Sequence, residues 1–387
     1  MKQTAVQFGA GNIGRGFLAQ LFHESGLEVV FVDVAADLLA ALNSRRGYPI
    51  HIVGDDPQEV KITDVRGVDG SDSNAVAREI AASAVVCTAV GAGALKFIAP
   101  NLAAGLVQRL QERAGPLNVL ICENLHGAND VLRSLVSDCL PQADREAVLA
   151  QTGFVQAVVS RMVPLQTADD NSGDPLAIRA EAYNRLPIDG RALVRNLPDI
   201  SGVEPVDDFV AYEERKLYTH NCAHAALGYL GYERGIELGC DALADPAMYA
   251  MVRDVLEETS EALVRRHHFD PAVQRAHVED LLTRFANRAL GDTCFRLARD
   301  PQRKLAPEDR LVGAARLCES QGVGTRALAT VICAALRFDA PQDPSAVALQ
   351  ARIASSGVES VLDEMCGIRA GETLAGQVLD AYREARD

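Results

Sequence analysis

Apolar and polar positions change period twice within the first thirty-three residues. Ala5 to Phe8 form a short apolar run that leads into Gly9-Ala10-Gly11-Asn12-Ile13-Gly14. Phe17, Leu18, Leu21 and Phe22 then recur at three- and four-residue spacing, the period of a helix. A second apolar run, Val29 to Val32, ends at Asp33. The order predicts strand, glycine turn, helix, strand and acid. Further unbroken apolar runs, 84–90 ending at Gly91 and 117–122 ending at Glu123-Asn124, read as strands buried on both faces of a parallel sheet. Segments 154–159 and 177–183 predict two more strands, the second alternating in period two, with a loop at 167–175. After Asn196 the pattern changes. A linker, Leu197 to Gly202, precedes helical periods at 208–230, 246–267, 271–288, 307–320, 325–336, 344–356 and 374–386. Prolines stand at or near several starts, where the missing N–H costs nothing. The pattern predicts an α/β fold: a Rossmann-type doubly wound sheet over 1–196, a mainly α-helical domain over 197–387, and a cleft between them.

Each part of the first segment has a physical task. Gly9 permits a tight turn, Gly11 lets a pyrophosphate approach the backbone, and Gly14 lets the helix lie close on the strand. Ala10, Asn12 and Ile13 complete the turn, whose helix amino-terminus offers N–H groups and partial positive charge to phosphate. Asp33 follows Gly14 by nineteen residues, where a carboxylate accepts from ribose hydroxyls and disfavours a 2′-phosphate. The expected cofactor is therefore NAD. Because ligands of such sheets bind beyond the carboxyl ends of the strands, Val90, Gly91, Glu123 and Asn124 are expected beside it.

Composition narrows the class. Thirty-eight basic residues against 53 acidic ones give a net charge of −15, which argues against nucleic acid or an anionic membrane as the main partner. A phosphorylated substrate would then need a local basic pocket. No apolar stretch is long enough to span a membrane, and no signal peptide is read before the first strand. Nine cysteines without a CxxC pair suit reduced thiols in a cytoplasmic protein, and no Cys/His/Glu spacing suggests a metal. The sequence leaves the oligomeric state open between a monomer and a weak dimer.

The second constellation lies in Tyr212 to Leu230, YEERKLYTHNCAHAALGYL. At about 100° per residue, His224 falls near 80° and Asn221 near 140° from Lys216, so all three project into one arc. An amine, an amide and an imidazole on one face make a plausible polyol site. Lys216 equally belongs, with Glu213, Glu214 and Arg215, to a solvated charged face. His220, near 40°, shares the arc, so spacing does not choose between the histidines.

Lys216-x4-Asn221-x2-His224, together with FGAGNIGRGF (8–17), TAVG (88–91), CEN (122–124), SGDPL (172–176), RF (284–285) and RKLAPEDRL (303–311), resembles the polyol-specific long-chain dehydrogenases of the mannitol dehydrogenase family. The resemblance runs over nearly the whole chain. It implies metal-independent, reversible hydride transfer between NAD and a polyol, with C5 of mannitol 1-phosphate and fructose 6-phosphate as the expected pair. It implies that Lys216 is the general base, that Asn221 and Asn124 hold the reacting oxygen, and that His224 orients substrate hydroxyls. Arg296 and Lys304 have the spacing of a substrate-contacting pair, and Arg303, Lys304 and Arg310 are candidates for the phosphate. Two departures matter. Ser160 stands where the family has an acid, and Cys222-Ala223 replace Thr-Gly between the asparagine and the histidine. Rival readings are a mannitol 2-dehydrogenase, a fructuronate reductase, and a non-catalytic NAD-sensing module.

Overall fold

A computed structural model describes residues 2–164 and 173–384. Most of the loop expected at 167–175, the first residue of SGDPL and the last residues of the helix expected at 374–386 lie outside the described residues. The chain divides into two compact units, Met1–Phe209 and Val210–Asp387.

The first unit is built on six parallel strands: β1 (Thr4–Phe8), β2 (Glu28–Asp33), β5 (Val65–Asp69), β6 (Val85–Thr88), β7 (Leu117–Ile121) and β8 (Thr152–Gln156). Their order, β5-β2-β1-β6-β7-β8, reverses direction at β1, so the glycine turn leaves the sheet at its switch point. Ala5, Val29, Phe31 and Cys87 enter one core cluster, whereas Val6, Val30, Val32 and Val86 enter another. Alternate residues of each strand thus feed opposite faces, which is why the runs are apolar throughout. The second cluster is closed by helices Ser73–Ala82, Leu95–Gln111 and Ala128–Cys139.

The other face is covered differently. Phe17, Leu18, Leu21 and Phe22 lie on it, beside a three-stranded sheet ordered β4-β3-β9, from β3 (Gly47–Ile52), β4 (Gln58–Thr63) and β9 (Ile178–Ala180). The strand expected at 177–183 is therefore only the short β9, and that expected at 154–159 is β8, which starts earlier. Strands β10 (Leu186–Asp189) and β11 (Val203–Val206) pair in parallel. This pairing carries residues 197–209 into the first unit, past the division expected at 196. Ile200 is buried in its core, and Leu186 N donates to Gly202 O at 2.7 Å.

The second unit is helical. Asp-Pro pairs start three of its long helices: Asp245 caps Pro246–His267, accepting from Ala247 N at 2.9 Å, and Asp343 caps Pro344–Ser356, accepting from Ser345 N at 3.0 Å. Asp270 does the same for Pro271–Phe285, which ends before the expected Arg288. The helix expected at 307–320 begins only at Val312. Asp309 accepts both Arg310 N, at 2.6 Å, and Arg310 Nε, at 2.7 Å, and this local bonding favours turns over helix.

Candidate functional site

The glycine turn is held by contacts that explain its sequence. Gly9 has φ +90°, and a Cβ there would meet Ala89 O at 2.4 Å. A Cβ on Gly14 would stand 2.0 Å from Gly9 O. Both glycines are demanded by the fold itself. Gly11 differs: among the described residues a Cβ there meets nothing within 4 Å. Among the described residues the bare backbone at Gly11 serves no packing purpose, which fits a space kept for a ligand.

Asp33 fixes this turn to the end of β2. Its Oδ2 accepts from Ala10 N at 2.7 Å, and its Oδ1 from Val34 N at 2.7 Å and Ala35 N at 3.0 Å. A carboxylate offers about four lone-pair sites, so roughly one is left for a ribose hydroxyl. A switch-point turn, an open Gly11 and an acid with spare accepting capacity suit NAD.

The residues beyond β6 and β7 are tied to each other. Glu123 accepts from Val90 N at 2.9 Å and from Gly91 N at 2.8 Å. The backbone donors of Val90 and Gly91, expected at the cofactor, are thus spent on Glu123, which shapes the sheet edge. Asn124, one residue on, is exposed. Asn12 turns its amide away to Pro164 O, at 3.1 Å, and Ile13 packs against the core.

Sequence reasoning assigned no role to Arg15. This buried guanidinium donates to Ala10 O at 2.6 Å and Leu176 O at 2.7 Å, joining the glycine turn to the end of the SGDPL segment. The signal was available, since Arg15 stands inside the turn motif and Leu176 inside the other.

In the second unit the helix expected at 208–230 is not regular. Helix Phe209–Arg215 widens into a π-helical stretch, Lys216–Asn221, before Cys222–Glu233 continues. Cys222 N reaches back five residues to Leu217 O. The Thr219 hydroxyl donates to Arg215 O at 2.6 Å, satisfying a carbonyl beside the widened turn. Such insertions frequently mark functional sites. Here the stretch starts at Lys216 and ends at Asn221, so an angular register of 100° per residue does not hold across them.

Two charged neighbours of Lys216 have partners of their own. Glu214 pairs with Arg266 at 3.0 Å and with His267 at 2.7 Å. The Arg215 guanidinium lies over the Tyr212 and Phe269 rings, 4.5 and 5.0 Å from their centroids. Desolvation, and then the Arg310 charge, pull the Lys216 amine down to about 8 against a raising influence of Glu213. About a tenth of that amine is then neutral at pH 7, far more than on a solvated face.

The two histidines are also distinguished. His220 is 6% exposed, set edge-on to His224 at 4.7 Å and to Phe285 at 5.4 Å. The His224 ring lies against Phe285 at 4.1 Å and lines a cavity of about 390 Å³. Desolvation and then Arg296, Arg284, Arg310 and Lys304 hold His224 down to about 3, so it meets a ligand as neutral imidazole. Arg296 and Lys304, the pair found by spacing, line the same cavity. Arg296 pairs with Asp292, and the Lys304 amine donates to Leu297 O. Burial, then Arg310 and Arg303, bring Lys304 down to about 7. Arg299, which the sequence reading passed over, opens on this cavity too. Cys222 is buried, its thiol pushed up by desolvation.

Among the described residues no group of three or more His, Cys, Asp or Glu side chains is placed to hold a metal ion, and no helix is long and apolar enough to cross a membrane.

Comparison with known proteins matches residues 3–202 to the family model described as the mannitol dehydrogenase Rossmann domain, and residues 208–385 to the mannitol dehydrogenase C-terminal domain. The mannitol-1-phosphate 5-dehydrogenase of Brevibacillus brevis is 39% identical over 383 residues, covering 99% of this chain and 98% of the relative. That of Bacillus subtilis is 37% identical, covering 97% and 98%, and that of Paenarthrobacter aurescens 43% identical, covering 89% of each. Among solved structures, Pseudomonas fluorescens mannitol 2-dehydrogenase in ternary complex with NAD and D-mannitol is similar with a TM-score of 0.78 at 18% identity, over 100% of this chain and 92% of that one. At that identity the likeness is one of fold.

Proposed function

We propose the function of this chain from one premise: it belongs to the mannitol dehydrogenase family, whose two domain models together match nearly all of it. It is an NAD-dependent oxidoreductase that interconverts mannitol 1-phosphate and fructose 6-phosphate. The observation that carries this reading is identity of 37–43% to proteins named mannitol-1-phosphate 5-dehydrogenase, along most or all of both chains. The geometry of each unit supports it. The first has a glycine turn open at Gly11, and the second a depressed amine on the same π-helical stretch as an amide, near a neutral imidazole on a basic cavity.

NAD, when bound, supplies the hydride acceptor. Lys216, as neutral amine, accepts the proton of the C5 hydroxyl. Asn221 donates N–H to that oxygen, and Asn124 of the first unit is assigned the same role. One preorganised donor of this kind is worth roughly 3 kcal/mol. His224, neutral and steadied by Phe285, orients neighbouring hydroxyls. Arg296 and Lys304 hold the substrate. In reduction the Lys216 ammonium returns the proton. Lysine in this role needs no metal, so chelators are expected to leave the rate unchanged. The finer assignments, a cytoplasmic setting and a sugar phosphate as substrate with neither nucleic acid nor membrane as partner, are part of the same reading. The setting is supported by nine cysteines in the reduced form, seven of them buried.

A substrate panel tests it. With NADH, fructose 6-phosphate is expected to be reduced far faster than fructose or fructuronate. Preference for an unphosphorylated ketose or for fructuronate would replace the assignment with a sister activity. Binding of NADH without turnover of any of them would leave only an NAD-sensing module.

A further inference from the structure

The basic cavity beside His224 carries more charge than a polyol needs. Its wall holds Arg296, Arg299, Arg303, Lys304 and Arg310, within a chain of net charge −15. The carboxylates beside these cations are Asp292 on Arg296, Asp300 and Asp309 on Arg303, and Asp309 on Arg310. Four arginines against three carboxylates leave an excess of one positive charge, and of two when Lys304 is protonated. Like charges crowd one another: Arg299 acts against Arg296, and Arg303 and Arg310 act against Lys304. Such crowding is costly unless an anion relieves it.

Arg299 is the least committed of the five. It is exposed, and its side chain has no hydrogen bond or ion pair among the described residues. The backbone next to it is strained toward this arrangement. Asp300 has φ 64° and ψ 58°, a left-handed conformation uncommon for a residue with a Cβ. It is held there by its N–H, which donates to Asp343 Oδ2 at 2.7 Å, and by Arg303 Nε, which donates to its carboxylate at 2.6 Å. This reversal between helices Cys294–Ala298 and Pro301–Lys304 brings Arg296, Arg299, Arg303 and Lys304 to one wall. Strain retained at a cluster of like charges is a mark of a binding site.

We propose that this cavity is the phosphate subsite, that it binds a dianionic phosphate monoester, and that Arg299 is the residue that discriminates phosphorylated from free polyol. The assignment rests on the function proposed above. Arg310, fixed by Asp309, and Lys304 form the inner wall near His224, and Arg299 closes on the phosphate from the solvent side. A forked guanidinium suits the oxygens of a phosphate better than a point charge does. The low value of Lys304 fits the same picture, because an incoming dianion favours its ammonium form.

The test uses the full chain with Arg299→Ala and Arg299→Glu. Arg299 is exposed, so both variants are expected to fold as the parent does. Losing a hydrogen bond to a charged group is expected to raise KM for fructose 6-phosphate about ten- to hundredfold in Arg299→Ala, and further in Arg299→Glu. The values of kcat and of KM for NADH stay close to those of the parent. Separately, inorganic phosphate alone, followed by calorimetry, is expected to bind the parent and not Arg299→Glu. Turnover of fructose 6-phosphate with unchanged KM in both variants would overturn the subsite and leave the proposed function standing. Phosphate binding that Arg299→Glu abolishes, in a chain that does not reduce fructose 6-phosphate, would uphold the subsite and overturn the function.

Discussion

Lys216→Ala is expected to lower kcat in both directions by about 10²- to 10⁴-fold, the usual worth of a positioned proton-transfer group. NADH affinity should stay the same, because the glycine turn lies in the other unit. The effect is large for a physical reason. An ordinary lysine, with a value of about 10.4, is almost wholly ammonium at neutral pH and cannot accept a proton. Desolvation and the Arg310 charge bring Lys216 down to about 8, so the folded chain has already met most of the cost of making it a base. Alanine removes that base and leaves the substrate cavity unchanged, so the loss should appear in kcat and much less in KM. Lys216→Arg keeps the length and the charge but cannot deprotonate, and it should be about as impaired as alanine. Equal activity of the parent and either variant would show that the proton goes elsewhere.

Gly11→Ala and Gly14→Ala are expected to fail in opposite ways. At Gly14 a methyl group would stand 2.0 Å from Gly9 O, a backbone atom that the Asp33–Ala10 contact helps to hold. The turn or the helix must move, at the upper end of the roughly 1–3 kcal/mol typical of overpacking. For a unit of this size that corresponds to a Tm lower by about 5–10 °C. Gly11→Ala meets no atom of the described residues within 4 Å, so its melting temperature should match that of the parent. Its NAD affinity should nonetheless fall by about tenfold or more, the equivalent of 1.4 kcal/mol, because the methyl fills the space kept for pyrophosphate. Melting curves and NADH titrations of the two variants separate a folding requirement from a binding one. A destabilised Gly11→Ala, or one that bound NADH normally, would remove the argument that the open space serves a ligand.

The sequence was most informative where one residue type had one physical use. Unbroken apolar runs meant strands covered on both faces, and the structure places Val85–Thr88 and Leu117–Ile121 in the middle of the sheet. Prolines at the head of a helical period meant helix starts, and Pro246–His267 and Pro344–Ser356 have the predicted limits. It was less informative where a tertiary partner decided the outcome. No local pattern marks the π-helical stretch, because the Thr219 hydroxyl that satisfies its carbonyl is compatible with an ordinary helix as well. Residues 197–209 read as a linker because the pairing of β11 with β10 is a contact with residues upstream. Val90, Gly91 and Glu123 were correctly placed at the strand ends, but sequence could not show that they bond to one another. Lys216 carried two readings, solvated or reactive, and what favours the second is its desolvation beside Arg310, which depends on distant parts of the chain. Arg299 sits among other charged residues in the sequence, and only the reversal at Asp300 shows its direction.

The most direct measurement is the pH dependence of kcat for mannitol 1-phosphate oxidation by the unaltered chain, with NAD saturating. The account predicts a rate that climbs with rising pH to a plateau, half-maximal near 8, as Lys216 loses its proton. Reduction of fructose 6-phosphate should fall over the same range, because the ammonium is then the donor. Lys304, near 7, should appear in KM for the phosphate ester and not in kcat. A kcat that is flat from neutral to mildly alkaline pH in both directions would contradict a lysine base.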